Sequence, residues 1–220
     1  DPYLKAAQAY AAGKTSEGNS WHNAGNGFFN AADKLGKAIE AEVAGKTELA
    51  QKWRDAAALQ ERSVEPYLKA AQARAAGKTD EGNSCHNAGA GFYHAADKLG
   101  KAIEAEEAGK VAIAQKWREA AALQERSVKS YLKAAQAYAI GKTSEGNSWN
   151  NAGEGFYYAA DKLGKAIEAE EAGKPAVAQK WREAAALQER SVEPYLKAVQ
   201  AYAAGKTDKG NRWNNAGNGF

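Results

Sequence analysis

The side chains best suited to chemistry lie in one short stretch, where Cys85 is followed directly by His86 and then by His94. A thiolate beside an imidazole can act as a nucleophile with its base, and cysteine with histidine can hold zinc. The chain has only 1 cysteine and 3 histidines, and their spacing is not that of a zinc site. Cys85 also takes a position that holds tryptophan elsewhere in the chain, so we expect a buried, unreactive thiol.

A Gly-Lys-Thr sequence recurs along the chain, as at Gly13-Lys14-Thr15, and it is found in phosphate-binding loops. Such a loop also needs a glycine five residues before the Gly-Lys pair, where this chain has Gln8 or Gln72. The glycine instead follows an alanine-rich run, as expected of a left-handed helix C-cap. The pattern therefore predicts helix-to-helix turns, with the following Thr, Ser or Asp as the next N-cap.

Carboxylates are numerous, but they lie beside lysines and arginines at helical spacings, as in the segments EAEEAGK and QKWREAAALQER. Such neighbours form surface ion pairs that contribute about 0.3–0.5 kcal/mol each. No set of side chains in the sequence has the spacing of a catalytic or metal-binding group. We therefore predict no catalytic residue, no cofactor, no metal site and no enzymatic activity.

The composition indicates a mixed, solvated surface. The 220 residues include 30 lysines and arginines against 27 aspartates and glutamates, and the two signs are interleaved. This pattern argues against a nucleic-acid partner, and no run of about 18 apolar residues could span a membrane. A single cysteine cannot form an internal disulfide, so extracellular, cell-surface and cytoplasmic locations all stay open.

Repetition is the dominant feature of the chain. All 6 tryptophans lie on a lattice of 32 residues, with Cys85 at the one vacant node. A motif YLKAAQA or YLKAVQA returns every 64 residues, so two unlike repeats of 32 residues alternate within a 64-residue block. We call 14–45 and its copies first-type repeats, and 46–77 and its copies second-type repeats. The tryptophans are Trp21, Trp53, Trp117, Trp149, Trp181 and Trp213.

Such repeats cannot bury their apolar faces alone and must stack on their neighbours. We therefore predict a single repeat array over residues 1–220. Its repeats are 1–13 (partial), 14–45, 46–77, 78–109, 110–141, 142–173, 174–205 and 206–220 (partial).

Each repeat is predicted to be helical, because Ala, Glu, Lys, Gln, Leu and Arg dominate and no alternating β pattern occurs. Pro66 and Pro194 predict a break inside the second-type repeats, and Gly36, with its equivalents Gly100 and Gly164, predicts one inside the first type. Two helices per repeat are expected, of about four and about three turns. One long helix is the alternative, because Ser130 replaces the proline in one copy.

Part of the first-type repeat resembles the tetratricopeptide repeat family. Three segments, WHNAGNGFF (21–29), WNNAGEGFY (149–157) and WNNAGNGF (213–220), are similar to the family's first-helix form W-x-N-L-G-N-x-Y-Y. The resemblance implies an all-α fold, an α-solenoid of stacked helix-turn-helix repeats that winds as a right-handed superhelix and commonly grips an extended peptide or a partner helix. Second-type repeats keep only the tryptophan and small residues of this motif.

The resemblance also implies a partner groove lined by asparagines of the first helices. Steps of four, three and four residues between 19, 23, 26 and 30 independently place one polar row on a helix face. Asparagine amides donate and accept hydrogen bonds, so the row could hold a peptide backbone, and a hydrated face without a ligand is the alternative. The groove residues are Asn19, Asn23, Asn26, Asn87, Asn151, Asn215 and Asn218.

The six tryptophans are predicted to form the repeat core. Each is followed by alanine three residues later and by alanine or glycine after that, a pattern that favours packing between adjacent helices. Burial of each ring contributes roughly 2–3 kcal/mol. Replacement of Trp117 or Trp181 by alanine is therefore expected to destabilise the fold by about 3–5 kcal/mol.

The two ends of the sequence suggest a structural role. Residue 1 begins where a second helix is expected, and residue 220 stops inside a first helix, so neither end has a polar capping repeat. We therefore predict a segment of a longer array, or a protomer that joins itself head to tail into a self-assembling filament, coat or spacer. The alternative is a scaffold that binds another protein or peptide in the asparagine groove. The predicted end-to-end residues are Tyr3, Leu4, Trp213 and Phe220.

Overall fold

The computed structural model describes residues 1–219, and within them the chain forms α-helices and no β-strand. The all-α prediction is confirmed. None of the helices in this range is long and apolar enough to cross a membrane. The helices are α1 (Pro2–Ala11), α2 (Thr15–Val43), α3 (Thr47–Glu61), α4 (Val64–Ala75), α5 (Thr79–Glu107), α6 (Val111–Ala139), α7 (Thr143–Glu171), α8 (Pro175–Arg190), α9 (Val192–Ala203) and α10 (Thr207–Gly217).

The same turn ends each repeat, and its glycine has a positive φ in every case. In the first turn the N–H of Lys14 donates to the carbonyl of Ala9 over 2.9 Å, and the N–H of Gly13 donates to that of Tyr10 over 3.0 Å. These two bonds define a Schellman motif. At the position of positive φ in this motif, a residue with a Cβ is strained, and glycine is not. The predicted left-handed C-caps are thus confirmed. The glycines are Gly13, Gly45, Gly77, Gly109, Gly141, Gly173 and Gly205.

The predicted N-caps are wrong. In α2 the N-cap is Lys14, Thr15 is already helical, and no side chain bonds the free N–H groups. The Lys14 carbonyl accepts the first helical hydrogen bond from the N–H of Gly18 over 2.9 Å. Lys14 therefore takes part both in the C-cap of α1 and in the start of α2. A turn this short leaves no room for a separate capping residue. The same lysine cap precedes α3, α5, α7, α8 and α10.

The first-type repeats are single helices, so the break predicted at their central glycines is wrong. Helices α2, α5 and α7 each run for 29 residues without interruption. A glycine weakens a helix by only about 1 kcal/mol, which tertiary packing readily offsets. At Gly100 such packing is present, because a Cβ there would lie 3.5 Å from the Trp53 ring, whereas α2 continues through Gly36 with nothing within 4 Å.

The second-type repeats break where proline is present. Helix α3 ends at Glu61 and α4 begins at Val64, which places Pro66 in the first turn of α4. Pro194 takes the same place in α9. Where Ser130 replaces the proline, α6 runs unbroken from Val111 to Ala139. The prediction from proline is confirmed, and the long-helix alternative holds for this one second-type repeat.

The chain divides into two compact units, Asp1–Ala121 and Ala122–Phe220, with the boundary inside α6. In the first unit α2 packs against α1, α3 and α4, and α5 packs against α3 and α4. In the second unit α7 packs against α8 and α9, and α10 packs against α9.

Small residues let these helices approach closely. Alanine supplies most of the buried hydrophobic positions, and tyrosine rings lie directly on helix glycines. A Cβ added at Gly89 would lie 2.8 Å from the Tyr67 ring, and one added at Gly153 would lie 2.8 Å from the Tyr131 ring. A real Cβ contact is never that short, so glycine is required wherever a tyrosine packs in this way.

Candidate functional site

Burial of the tryptophans is uneven. Trp53 and Trp117 are buried in the core, whereas Trp21, Trp149, Trp181 and Trp213 are only half-buried. Trp53 packs with Ala38, Ala56 and Ile103. The tryptophan is therefore a core residue in the second-type repeats 46–77 and 110–141, and it is only half-buried in the first-type repeats and at Trp181.

A lysine ammonium lies over the ring of each tryptophan and comes from the residue sixteen positions earlier. Such contacts contribute about 0.5–1 kcal/mol to stability when exposed. The lysine also covers the ring face on which a sugar or an aromatic ligand would stack. At the vacant node, Lys69 instead pairs with Glu65 over 2.8 Å. The sequence shows the lysines at constant spacing but not their role. The pairs, with distances from Nζ to the ring centroid, are Lys5–Trp21 (4.4 Å), Lys37–Trp53 (4.5 Å), Lys101–Trp117 (4.6 Å), Lys133–Trp149 (4.2 Å), Lys165–Trp181 (5.1 Å) and Lys197–Trp213 (4.7 Å).

Three asparagines of the predicted groove accept hydrogen bonds from tyrosine hydroxyls of the preceding helix. The hydroxyl of Tyr10 donates to Asn19 Oδ1 over 2.8 Å. The hydroxyl of Tyr3 donates to Asn26 over 3.0 Å, and that of Tyr195 donates to Asn218 over 2.8 Å. Asn26 and Asn218 hold the same position in their repeats. These amides therefore fix the tyrosines that lie on the helix glycines.

The other groove residues fall in different surroundings. Asn23 lies at a seam between α2 and α5, where its Nδ2 is 3.5 Å from His86 Nε2. Asn151 lies at the equivalent seam in the second unit and donates to Asn214 Oδ1 over 3.5 Å. Asn87 is half-buried and Asn215 is exposed. The predicted groove asparagines thus fall into three groups: those bonded to tyrosine hydroxyls, those at a seam between helices, and Asn87 and Asn215, which are in neither group.

A partly buried polar cluster marks the block that contains Cys85. Arg74 stands where other blocks have tyrosine, and its Nη1 donates to Ser20 Oγ over 2.6 Å and to the Ser16 carbonyl over 2.7 Å. His86 Nδ1 lies 3.2 Å from Ser20 Oγ and 3.3 Å from Arg74 Nη1. Burial, followed by the Arg74 charge, lowers the pKa of His86 to about 4.

The Ser20 and His86 contact resembles a nucleophile with its base, but the surroundings oppose that chemistry. Ser20 is fully buried, so a substrate has no approach to its oxygen. Ser20 Oγ also accepts a hydrogen bond from Arg74 Nη1. This bond holds the hydroxyl in place and does not remove its proton. The cluster is best described as polar packing between α2, α4 and α5.

Acid should destabilise the fold through His86. Its folded pKa of about 4 lies below the ordinary value of 6.5, so between these pH values the unfolded chain binds a proton that the folded chain excludes. We expect stability to fall as the pH drops from 6.5 to 4, on the order of 2–3 kcal/mol more than in His86→Asn. Urea unfolding of both chains at several pH values measures the difference. Asparagine is the matched control, because Asn214 takes the equivalent place and accepts from Ser148 over 3.1 Å. Parallel pH profiles would contradict the assignment.

Cys85 is buried, and burial, followed by the nearby Glu81 carboxylate, raises the pKa of its thiol to about 11. We expect iodoacetamide to modify the folded chain at pH 8 at least about a hundredfold more slowly than the urea-unfolded chain. Mass spectrometry of timed samples measures both rates. Rapid modification of the folded chain would show an accessible thiolate. Across the part of the chain that the structure describes, no three His, Cys, Asp or Glu side chains are placed to hold a metal ion.

One apolar surface of α2 lies open, and we call it the α2 face. It consists of Phe28, Ala32, Leu35 and Ile39. Phe28 and Ile39 are 47% and 59% exposed. The equivalent residues are buried in α5, where Phe92 and Ile103 are 7% and 5% exposed. They are buried in α7 as well, at Phe156 and Ile167.

The second-type repeats cover this surface in α5 and in α7. In the first unit Trp53 packs on Ile103, and Leu49 and Leu99 join the same cluster. In the second unit Leu123 packs with Phe156. Arginine completes each contact, because Arg62 lies 4.4 Å from the Phe92 ring centroid and Arg126 lies 4.1 Å from that of Phe156.

These contacts give the chain one recurring interface, and the α2 face is an uncovered copy of it. Its apolar character was visible in the sequence, but its exposure was not, because exposure depends on which neighbour is present. A scan of protein-family models and a search of curated proteins find no match to this chain.

Proposed function

We propose that the chain is a non-enzymatic structural repeat protein, acting as a segment or protomer of a longer head-to-tail array with a tetratricopeptide-like solenoid architecture. The recurring interface carries this proposal. In both compact units an arginine of a second-type repeat lies over the phenylalanine of the following first-type helix. Apolar side chains of the second-type repeat also pack on that helix, Trp53 on Ile103 in the first unit and Leu123 on Phe156 in the second. An interface that joins unlike surfaces can be repeated without closing, which is the property that an extended assembly requires.

The predicted end-to-end residues have mixed positions. Tyr3 and Leu4 are exposed on α1, whereas Trp213 is half-buried under Lys197. Phe220 lies outside the described residues. Phe28, Leu35 and Ile39 of the α2 face are further exposed apolar side chains of the first unit.

The use of the asparagines favours this structural proposal over a peptide-binding scaffold. Asn19, Asn26 and Asn218 already accept from tyrosine hydroxyls. Asn23 and Asn151 lie at helix seams. A peptide in this groove would have to compete with contacts that hold the repeats together.

Electron microscopy over a concentration series, with light scattering on the same samples, tests the proposal. We expect long particles whose mass grows with concentration and whose axial spacing reflects 64-residue blocks. A monomer of 23.4 kDa at every concentration would contradict assembly of this chain by itself. Binding of an extended peptide that Asn23→Ala abolishes would instead support the scaffold hypothesis.

A further inference from the structure

We propose that the hairpin of α9 and α10 binds a small aromatic anion, such as an aryl sulfonate or an aryl carboxylate. The binding site is a surface cavity of about 310 Å³ between the two helices. The proposal concerns this one hairpin and does not depend on assembly of the chain. The cavity is lined by Lys197, Gln200, Ala201, Ala204, Lys206, Lys209 and Trp213.

The charge of this cavity is positive and largely uncompensated. Three of the lining side chains are lysines, and none is a carboxylate. Lys197 pairs with Glu193 over 2.8 Å, but Lys206 and Lys209 form no ion pair with any residue between 1 and 219. Like charges that share a small cavity repel one another, and a bound anion removes this repulsion.

Lys209 distinguishes this hairpin from its three copies. In each copy the equivalent residue is a glutamate, which pairs with the lysine three positions before it. The fourth copy has therefore lost its internal carboxylate and gained a third lysine at the same place. The anionic group of a ligand would occupy the position of the missing carboxylate. The pairs in the copies are Lys14–Glu17 (3.7 Å), Lys78–Glu81 (3.5 Å) and Lys142–Glu145 (3.5 Å).

This side of the hairpin stays open when another block is stacked beside it. The equivalent hairpin, formed by the end of α6 and the start of α7, has such a neighbour, because Ser148 Oγ donates to Asn214 Oδ1 over 3.1 Å. Its Trp149 is nevertheless half-buried, and Lys133 and Lys142 are exposed. The access to the cavity is thus a property of the hairpin itself.

The other walls of the cavity favour an anion that carries a compact apolar ring. The Lys197 ammonium lies 4.7 Å from the centroid of the Trp213 ring and holds that ring face. A ligand ring therefore packs against Ala201 and Ala204, while its anionic group faces the lysines. Ligand pockets measure about 300–1,000 Å³, so this cavity is at the small end of the range and suits a small molecule.

Fluorescence titration of the 220-residue chain with anilinonaphthalenesulfonate tests the proposal, because the emission of this aryl sulfonate rises in an apolar site. We expect one saturable site per chain. Phenylnaphthylamine, which has the same rings without the sulfonate, should not fill this site, although exposed apolar side chains such as Phe28 can bind both probes weakly. Saturable binding of both probes with equal affinity would contradict the requirement for an anion.

Lys209→Glu should weaken the saturable binding by at least about tenfold, because it replaces an attractive charge by a repulsive one. Lys209 is exposed and glutamate is the residue of the other copies, so the variant should fold, and circular dichroism checks this. Lys180→Glu is the matched control, because it changes the net charge equally at an exposed position outside the cavity. Equal affinities of the two variants would overturn the proposal.

Glu17→Lys is the converse experiment and should add a second site per chain with a similar affinity. The hairpin of α1 and α2 has the same side chains as the cavity at every lining position except this one. An unchanged number of sites would overturn the assignment of these residues as the binding site. The shared side chains of this hairpin are Lys5, Gln8, Ala9, Ala12, Lys14 and Trp21.

Discussion

Replacing Trp53 by alanine is expected to lower the free energy of unfolding by about 3–5 kcal/mol. The ring is buried against Ile103, beside Gly100, so its removal leaves a cavity between α2, α3 and α5. Three helices would have to shift to close it. Urea denaturation followed by circular dichroism measures the loss without depending on tryptophan emission.

Trp181→Ala is the matched control, with an expected loss of only about 1–2 kcal/mol. Trp181 has the same lattice position and a lysine over its ring, but it is half-buried, and Leu187 of the same helix is exposed. The equal loss predicted from the sequence for Trp117 and Trp181 is therefore revised. Similar losses for Trp53 and Trp181 would contradict this account of their surroundings.

Gly89→Ala is expected to destabilise the fold by about 1–3 kcal/mol, although alanine is the better helix former. The added methyl group would lie 2.8 Å from the buried Tyr67 ring, so the tyrosine or the helix must move. Thermal and urea unfolding give the sign and the size of the change.

Gly36→Ala makes the same substitution in the middle of the helix α2 and should have the opposite effect. Nothing lies within 4 Å of the new methyl group, so the gain in helix propensity of up to about 1 kcal/mol should remain. Stabilisation by both substitutions would show that the tyrosine can move freely. Destabilisation by both would show that Gly36 has a contact that the structure does not contain.

Local patterns in the sequence predicted the features that depend on local physics. The seven glycine turns follow from the conformation that only glycine adopts easily, and the break before Pro66 follows from the missing N–H of proline. The buried thiol of Cys85 followed from its place on the tryptophan lattice. For the glycine turns and the proline break, the determining residue and its consequence lie within one turn of helix, whereas Cys85 was placed by comparison of the repeats.

The features that the sequence did not predict depend on partners outside the local segment. The close packing of Trp53 on Gly100 is one example, because those residues are 47 positions apart. The roles of Asn26 and Asn23 likewise depend on Tyr3 and His86. A helical periodicity identifies the polar row but not which of its members are already bound.

The alanine and glycine core has a consequence for how this sequence can change. Most buried positions already hold the smallest side chains, so few substitutions can open a large void there. Almost any change at such a position adds atoms. At the glycines under tyrosine rings, an added Cβ would lie near 2.8 Å from the ring, so no space is left for it. Copies of the block are therefore free to drift at exposed positions, while their helix contacts are kept by exclusion of larger residues. Cys85 is an example of a smaller residue at a core position. It stands where the other lattice positions hold tryptophan, and α5 is a continuous helix there.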